Sequence, residues 1–416
     1  MDERRADDDL PDGDLPAGDL PDGELPDGHR PEDDLPDGDL LAWRDEFPAV
    51  ASTTFLGTHT LAPLGRRARA AIDRFLDAWQ EKASAERLWF EDIIPEMRRL
   101  EGLYASLIGA DPDEVALTPS ISTGLSSLQS AVPFTGDRRQ VVLSREEFPA
   151  DSLVWLAAEA RGAEVVWVEG RTVESLLAPV GDRTAVVSAS RVSYVDGAAL
   201  DVDALVAGCR ERGAMSVLDD YHGSGVVPFD VHANGCDALV GGPLKYLLGG
   251  PGVAFLYVRS GLVESLRPTI TGWFAQADFF AFDGSAIDWP TSAQRFAMGT
   301  PAPASIFAAA AGLEIVLEVG VERIRARVLE LTDHLLARAA AMGLRVRTPV
   351  DHAARGGMVA IEVPDSKAVL HALLARGVIV DERHGALRVA PHFFSTEADV
   401  DALFDALAAL GVGSSA

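Results

Sequence analysis

Seven short apolar runs, at 115–118, 140–143, 164–168, 184–188, 215–218, 238–240 and 253–258, constrain this chain more than any other feature. Amphipathic stretches such as 151–161 and 201–212 fall between them, so the periodicity switches repeatedly from strand to helix. That alternation is the βαβ pattern and predicts an α/β fold with a mostly parallel seven-stranded sheet covered by helices on both faces. Such sheets place ligands at the carboxyl ends of their strands. Two helices are expected ahead of the first strand, around 66–84 and 90–108. Beyond 303 the pattern changes to a long Ala-rich helix followed by short strands near 344–347, 358–363 and 386–390, which reads as a smaller C-terminal α+β domain. The expected organisation is an arm over 1–40, an N-terminal segment and large domain over 41–302, and the small domain over 303–416.

The arm differs in kind from the rest. Its forty residues hold 16 acidic and three basic side chains, nearly half of the formal charge of −28, and repeat Leu-Pro-x-Gly from Leu10, Leu15, Leu20, Leu25 and Leu35. It has too few apolar side chains for a core and is expected to be disordered, either as a tolerated extension or as a solubilising or partner-binding tail. The strong negative charge argues against nucleic acid and anionic membranes as partners. No apolar run approaches the roughly 20 residues that span a bilayer, and the N-terminus is acidic, so a cytoplasmic protein is expected. Cys209 and Cys236 read as small core residues, and the nine histidines show no metal-ligand spacing.

The chain has three lysines, Lys82, Lys245 and Lys367, against 33 arginines. Lys245 lies in the glycine-flanked apolar run DALVGGPLKYLLGGPGVAFLYV, where a guanidinium could not replace a nucleophilic amine. A Schiff-base lysine is the natural reading. Upstream, SVLDDYHGSG leaves a strand with Asp219 and His222 spaced to place a carboxylate and an imidazole at the sheet's lip; a carboxylate there can hold a pyridinium protonated, or cap a turn. In LTPSISTGLSSL a helix is expected to begin near Ser122 or Thr123, whose hydroxyls can cap it or bind a phosphate ester. Phe148 and Asp151, in SREEFPADSL, offer a ring to stack on a planar ligand and a carboxylate beside it, or a core Phe and a helix cap. Arg388, within the strand pattern of GALRVAPHFF, suits a carboxylate clamp or a structural ion pair. His59, in FLGTHTLAP, reads as a solvated loop histidine before it reads as a substrate contact.

Taken in order, SRVSYVDGAALD, LDDYHGSG, GGPLKYLLGGPG, TGWF, MGTPAPAS and LRVAP resemble the class V aminotransferase-fold family of pyridoxal-phosphate enzymes, and among them most resemble kynureninases, over about 42–410. The resemblance implies fold type I and pyridoxal 5'-phosphate as cofactor. It implies that Lys245 forms the Schiff base, that Asp219 pairs with the pyridine nitrogen, and that His222 lies near the cofactor's phenolic oxygen or the aldimine. It further implies that Phe148 stacks on the ring, that Ser122, Thr123 and Trp273 lie near the phosphate, that Thr300 reaches the neighbouring subunit's phosphate in a homodimer, and that Arg388 binds the α-carboxylate of an amino-acid substrate. Side-chain cleavage by a lyase or hydrolase is the expected activity, with transamination or epimerisation, or a non-catalytic binding module, as alternatives. Two departures separate the chain from typical kynureninases: Leu244 stands where they place a tyrosine, and Arg191 where they place a histidine, a change expected to alter the local charge. The lack of a cysteine after Cys236 disfavours a persulfide-forming desulfurase.

Overall fold

A computed structural model describes residues 40–413. The expectation of a disordered arm falls almost wholly outside that range. Strands form where the apolar runs lie: β1 (Val115–Thr118), β2 (Gln140–Ser144), β3 (Glu164–Val168), β4 (Thr184–Ser190), β5 (Met215–Asp219), β6 (Ala238–Gly241) and β7 (Ala254–Val258). They make one seven-stranded sheet in the order β1-β7-β6-β5-β4-β2-β3. All neighbours pair in parallel except β7, which runs antiparallel to both β1 and β6. The sheet is therefore mostly parallel, as expected.

Side chains alternate between its faces with the two-residue period of a strand. Val142, Leu218, Leu239 and Phe255 pack on one side with Leu313 and Val316, while Val141, Val217, Val240 and Leu256 pack on the other with Leu125, Leu128 and Trp155. Burial on both faces is why the strands read as continuous apolar runs rather than alternating ones. The covering helices start where the sequence supplies caps: the Ser120 side chain accepts from the Thr123 N–H at the head of α1 (Ile121–Ala131), and Asp201 accepts from Ala204 at the head of α2 (Val202–Glu211).

The single long helix expected after 303 is two. α3 (Pro303–Val319) and α4 (Val321–Ala341) meet at 80° across Gly320, whose φ of +86° no helix accommodates. No single helix among the described residues is long and apolar enough to cross a membrane. A second sheet of β8 (Val359–Glu362), β9 (Asp381–Arg383) and β10 (Ala386–Val389) runs antiparallel in the order β9-β10-β8, packing Val359, Ile361, Leu387 and Val389 against Leu331, Leu335 and Phe404. The strand expected at 344–347 is reduced to one bridge, Val346 to Ile361, and β9 was not foreseen. Far upstream, Thr54–Phe55 pairs in parallel with Val378–Ile379, and the Ala62 N–H donates to the Leu244 carbonyl at 2.9 Å. These bonds tie the 54–62 segment to both the 378–379 strand just ahead of β9 and the lysine turn.

Candidate active site

The carboxyl ends of β1, β2, β4, β5 and β6 open onto one cavity of about 420 Å³. Its walls include Ser120, Ser122, Phe148, Asp219, His222, Lys245 and Arg388, and the 54–62 segment closes it with His59 and Thr60. Six of these residues share one space because they lie at or just past strand ends of the large sheet, and Arg388 is brought to it by β10 of the second sheet.

Lys245 lies in the turn between β6 and β7. That turn packs on α3 with almost no clearance: a Cβ on Gly312 would sit 2.5 Å from the Leu247 carbonyl oxygen, and one on Gly249 would sit 2.9 Å from the Ala309 Cα. The amine lies 2.7 Å from His222 Nε2, 4.5 Å from the Tyr221 ring and 5.9 Å from the Phe148 ring. Burial pushes Lys245 down to about 7, against the attraction of Asp219 and with the help of Arg388. A shift of that size corresponds to about 5 kcal/mol, so loss of hydration outweighs the nearby carboxylates. The result is an amine that is substantially neutral, and therefore nucleophilic, near neutral pH.

Behind it three carboxyl groups crowd together. Asp219, at the end of β5, accepts from the Tyr221 N–H at 2.8 Å; Glu147 accepts from the Ser190 N–H at 2.9 Å, from the Ser190 hydroxyl and from Arg171 at 3.3 Å. Asp151 is 1% exposed, and its carboxyl is hydrogen-bonded to that of Asp219. Burial and the charges of Asp219 and Glu147 raise Asp151 well above the ordinary carboxylate range, so it is held as the acid. Asp219 too is raised by burial. Asp151 is not the helix cap: its helix (Pro149–Ala157) begins with Phe148 at the N-cap and Pro149 at the first position. Nor is Phe148 a core residue, since it is 40% exposed and stands edge-on to Tyr194 at 5.2 Å.

At the phosphate end expected from the sequence, the helix starts at Ile121, one or two residues earlier than predicted. Ser120, not Ser122 or Thr123, is the cap, and the Thr123 hydroxyl is bonded to Ser120 at 2.8 Å, leaving Ser120 and Ser122 on the cavity wall. Trp273 and Thr300 do not reach this cavity within one chain. Trp273 instead joins Phe279, Phe280 and Phe282 in an aromatic cluster, and Thr300 is exposed.

Arg388 is 4% exposed and already paired: it meets Asp381 across the β9–β10 ladder and donates to the Tyr194 carbonyl at 2.7 Å, while its Nε has no partner among the described residues. Arg191 does not reach the site. Its guanidinium turns away, bonding Asp220 at 2.6 and 3.1 Å and the Val227 carbonyl at 2.8 Å, so the expected change of charge in the cavity is cancelled within the core. His59 is 1% exposed rather than solvated. Leu244 lines the cavity, and Tyr221, which sequence reading passed over inside LDDYHGSG, presents a phenol that burial pushes up to about 12. Cys209 and Cys236 are both buried in the core and absent from the cavity wall.

Residues 67–403 match the aminotransferase class-V family. The chain is 33% identical over 373 residues to the uncharacterized aminotransferase YcbU of Bacillus subtilis (strain 168), covering 88% of this chain and 97% of that one. It is 33% identical over 301 residues to the kynureninase of Pseudomonas fluorescens, covering 68% and 71%. Among solved structures, a mutant of C-DES with glycine covalently linked to the PLP cofactor superposes with a TM-score of 0.81 at 19% identity, covering 88% of this chain and 98% of that one. The cavity suits that cofactor in its donor set: a largely neutral amine for its carbonyl carbon, a carboxylate hydrogen-bonded to a buried acid for its ring nitrogen, an exposed aromatic face for its ring, and a serine-capped helix start for its phosphate. The chain belongs to the class-V aminotransferase family and is a pyridoxal 5'-phosphate enzyme.

Proposed function

We propose that this enzyme cleaves the side chain of an α-amino acid, as a β-lyase or a kynureninase-like hydrolase. The observation that carries the reading is the placement of a near-neutral Lys245 amine, hydrogen-bonded to His222, in one cavity with Arg388. When bound, pyridoxal phosphate supplies an electron sink for charge developing at Cα. Lys245 would hold the cofactor through its amine, and the same amine, when free, would take the Cα proton. Asp219, backed by the protonated Asp151, keeps a proton on the ring nitrogen, and Phe148 covers the ring. Ser120, Ser122 and the N–H groups that open α1 hold the phosphate. Arg388 takes the substrate carboxylate, which fixes the Cα–H bond over Lys245. Leu244, in place of the tyrosine that the resemblance leads one to expect, supports a substrate other than kynurenine.

We assign Trp273 and Thr300 to the neighbouring site of a homodimer. Trp79, Phe90 and Phe282 are 60%, 52% and 76% exposed, an apolar surface that a second copy would cover. A transaminase is the second reading, supported by the name of the Bacillus relative.

The purified protein is expected to be yellow, and borohydride reduction to fix the cofactor on the peptide containing Lys245. Incubation with single amino acids should release alanine or pyruvate while the colour returns. Keto acid accumulating with aminated cofactor would replace cleavage by transamination, and a colourless protein that takes up no added cofactor would overturn both.

A further inference from the structure

A second arginine lines the cavity, Arg383, and the chemistry above leaves it without a task. Strand alternation sets it on the same face of β9 as Asp381, while Glu382 between them points the other way, accepting from the Ser366 hydroxyl at 3.0 Å and the Gly385 N–H at 2.8 Å. Across the ladder Asp381 meets Arg388, but Arg383 meets Ala386, whose methyl offers a guanidinium nothing. Its hold on its own chain is therefore slight. Nη1 donates to Asp381 at 2.8 Å and to the Glu382 carbonyl at 2.6 Å, and Nε and Nη2 donate to nothing among the described residues.

Charge and depth indicate what would use those donors. Asp381 serves both guanidiniums, through Oδ1 for Arg383 and Oδ2 for Arg388, so two positive charges share one negative charge. Asp381 is itself absent from the cavity wall, where Asp219 is the one carboxylate among the described residues and already answers to the ring nitrogen. The Arg388 side chain is 5% exposed and that of Arg383 51%, so the first lies deep in the cavity and the second at its mouth. The field of Arg383 also reaches inward: after burial and the charges of Arg388 and Lys245, it helps to keep His59 neutral. An amino acid with its carboxylate on Arg388 and its Cα at Lys245 has its side chain left to run toward the mouth, where negative charge is lacking.

We propose that Arg383 recognises a carboxylate on the substrate's side chain, so that the substrate is an acidic α-amino acid. Nε and Nη2 present the two parallel donors that a carboxylate fits. The inference rests on the amino-acid reading above and narrows it to side chains that carry a second negative charge. The corresponding amides match the acids in shape but bring no charge to the guanidinium.

The test titrates the cofactor-loaded full chain with L-aspartate against L-asparagine, L-glutamate against L-glutamine, and L-2-aminoadipate against L-norleucine, reading dissociation constants from the cofactor's absorbance rather than from turnover. L-Alanine, which carries only the carboxylate that Arg388 takes, is the reference. The wild type is expected to bind the acid of at least one pair about tenfold more tightly, as one hydrogen bond between charged groups provides. Arg383→Gln should bring that ratio to within about twofold and weaken the acid at least about fivefold more than it weakens L-alanine; Arg383→Lys, which restores the charge, should recover part of the preference. Equal affinities within all three pairs in the wild type, a ratio that survives Arg383→Gln, or one no better in Arg383→Lys than in Arg383→Gln would overturn the role of Arg383 alone. If none of the seven amino acids perturbs the spectrum, the amino-acid reading falls and this inference with it.

Discussion

Two arginines of this chain are buried to the same 4%, and each faces an aspartate. Arg191 is closed: Asp220 takes two of its donors, the Val227 and Pro228 carbonyls take others, and the Phe229 ring lies 4.5 Å from its guanidinium carbon. Arg388 is open: Asp381 and Tyr194 occupy its two terminal nitrogens, Nε has no partner among the described residues, and the cavity runs past it. The same residue pair is thus a bolt in one place and a half-filled socket in the other. What separates them is the number of donors left over, since desolvating two charges gains little unless every remaining donor is also satisfied.

Breaking the closed pair should do most. Arg191→Met leaves Asp220 buried and unpaired and is expected to cost about 3–5 kcal/mol of stability in denaturant unfolding, with the catalytic efficiency of the molecules that remain folded changed less than about threefold. Arg388→Met should invert that outcome. Asp381 keeps Arg383 at 2.8 Å and Thr60 at 3.1 Å, so the fold should lose less, while kcat/KM should fall by a factor between about 30 and a few thousand, equivalent to 2–5 kcal/mol. Equal stability losses in the two variants would erase the distinction.

A third test uses the reach of the open charge. The folded apoprotein releases the Lys245 proton near pH 7 and the unfolded chain near pH 10.5, so between those values the unfolded state binds more protons. Stability should therefore climb with pH across that window, by at most about 1.4 kcal/mol per unit from this group, and Lys245→Met should flatten the climb. Because Arg388 helps depress the amine, Arg388→Met should move the onset to higher pH, whereas Arg191→Met should leave it in place; thermal melts of the apoprotein from pH 6 to 10 would show either. The smallest effect belongs to Asp381→Asn. Removing the carboxylate that competes for Arg388 should lower KM for the amino acid by about fivefold, or about 1 kcal/mol, and a rise in KM would mean that Asp381 orients Arg388 rather than rivals the substrate.

Much of this is legible in the sequence. Strands β1 to β7 were found because burial on both faces writes itself locally as an apolar run. Lys245 stood out because lysine is rare here, and the Asp219–His222 spacing followed from its place at a strand end. The destination of Arg191 was hidden because Asp220 and Val227 reach it only through the tertiary fold. Asp381 was closer to view. His384 and Gly385, both at positive φ, form a two-residue turn that sets Asp381 opposite Arg388, and reading DERHGALR as a hairpin would have paired them. The break at Gly320 was missed because an Ala-rich stretch carries no periodic signal strong enough to show where one helix stops. Ser120 was passed over for its neighbours because three hydroxyls in four residues all satisfy the same capping rule.

The close seat of the lysine turn on α3 has one more consequence. With backbone against backbone at Gly312 and Gly249, the height of the amine above the sheet is set by a helix some sixty residues further along the chain, with no side chain to cushion it. A single methyl group at position 312 would therefore have no room except against the Leu247 and Leu248 backbone, and the turn that carries the amine, one layer beneath the cavity, would have to shift to admit it.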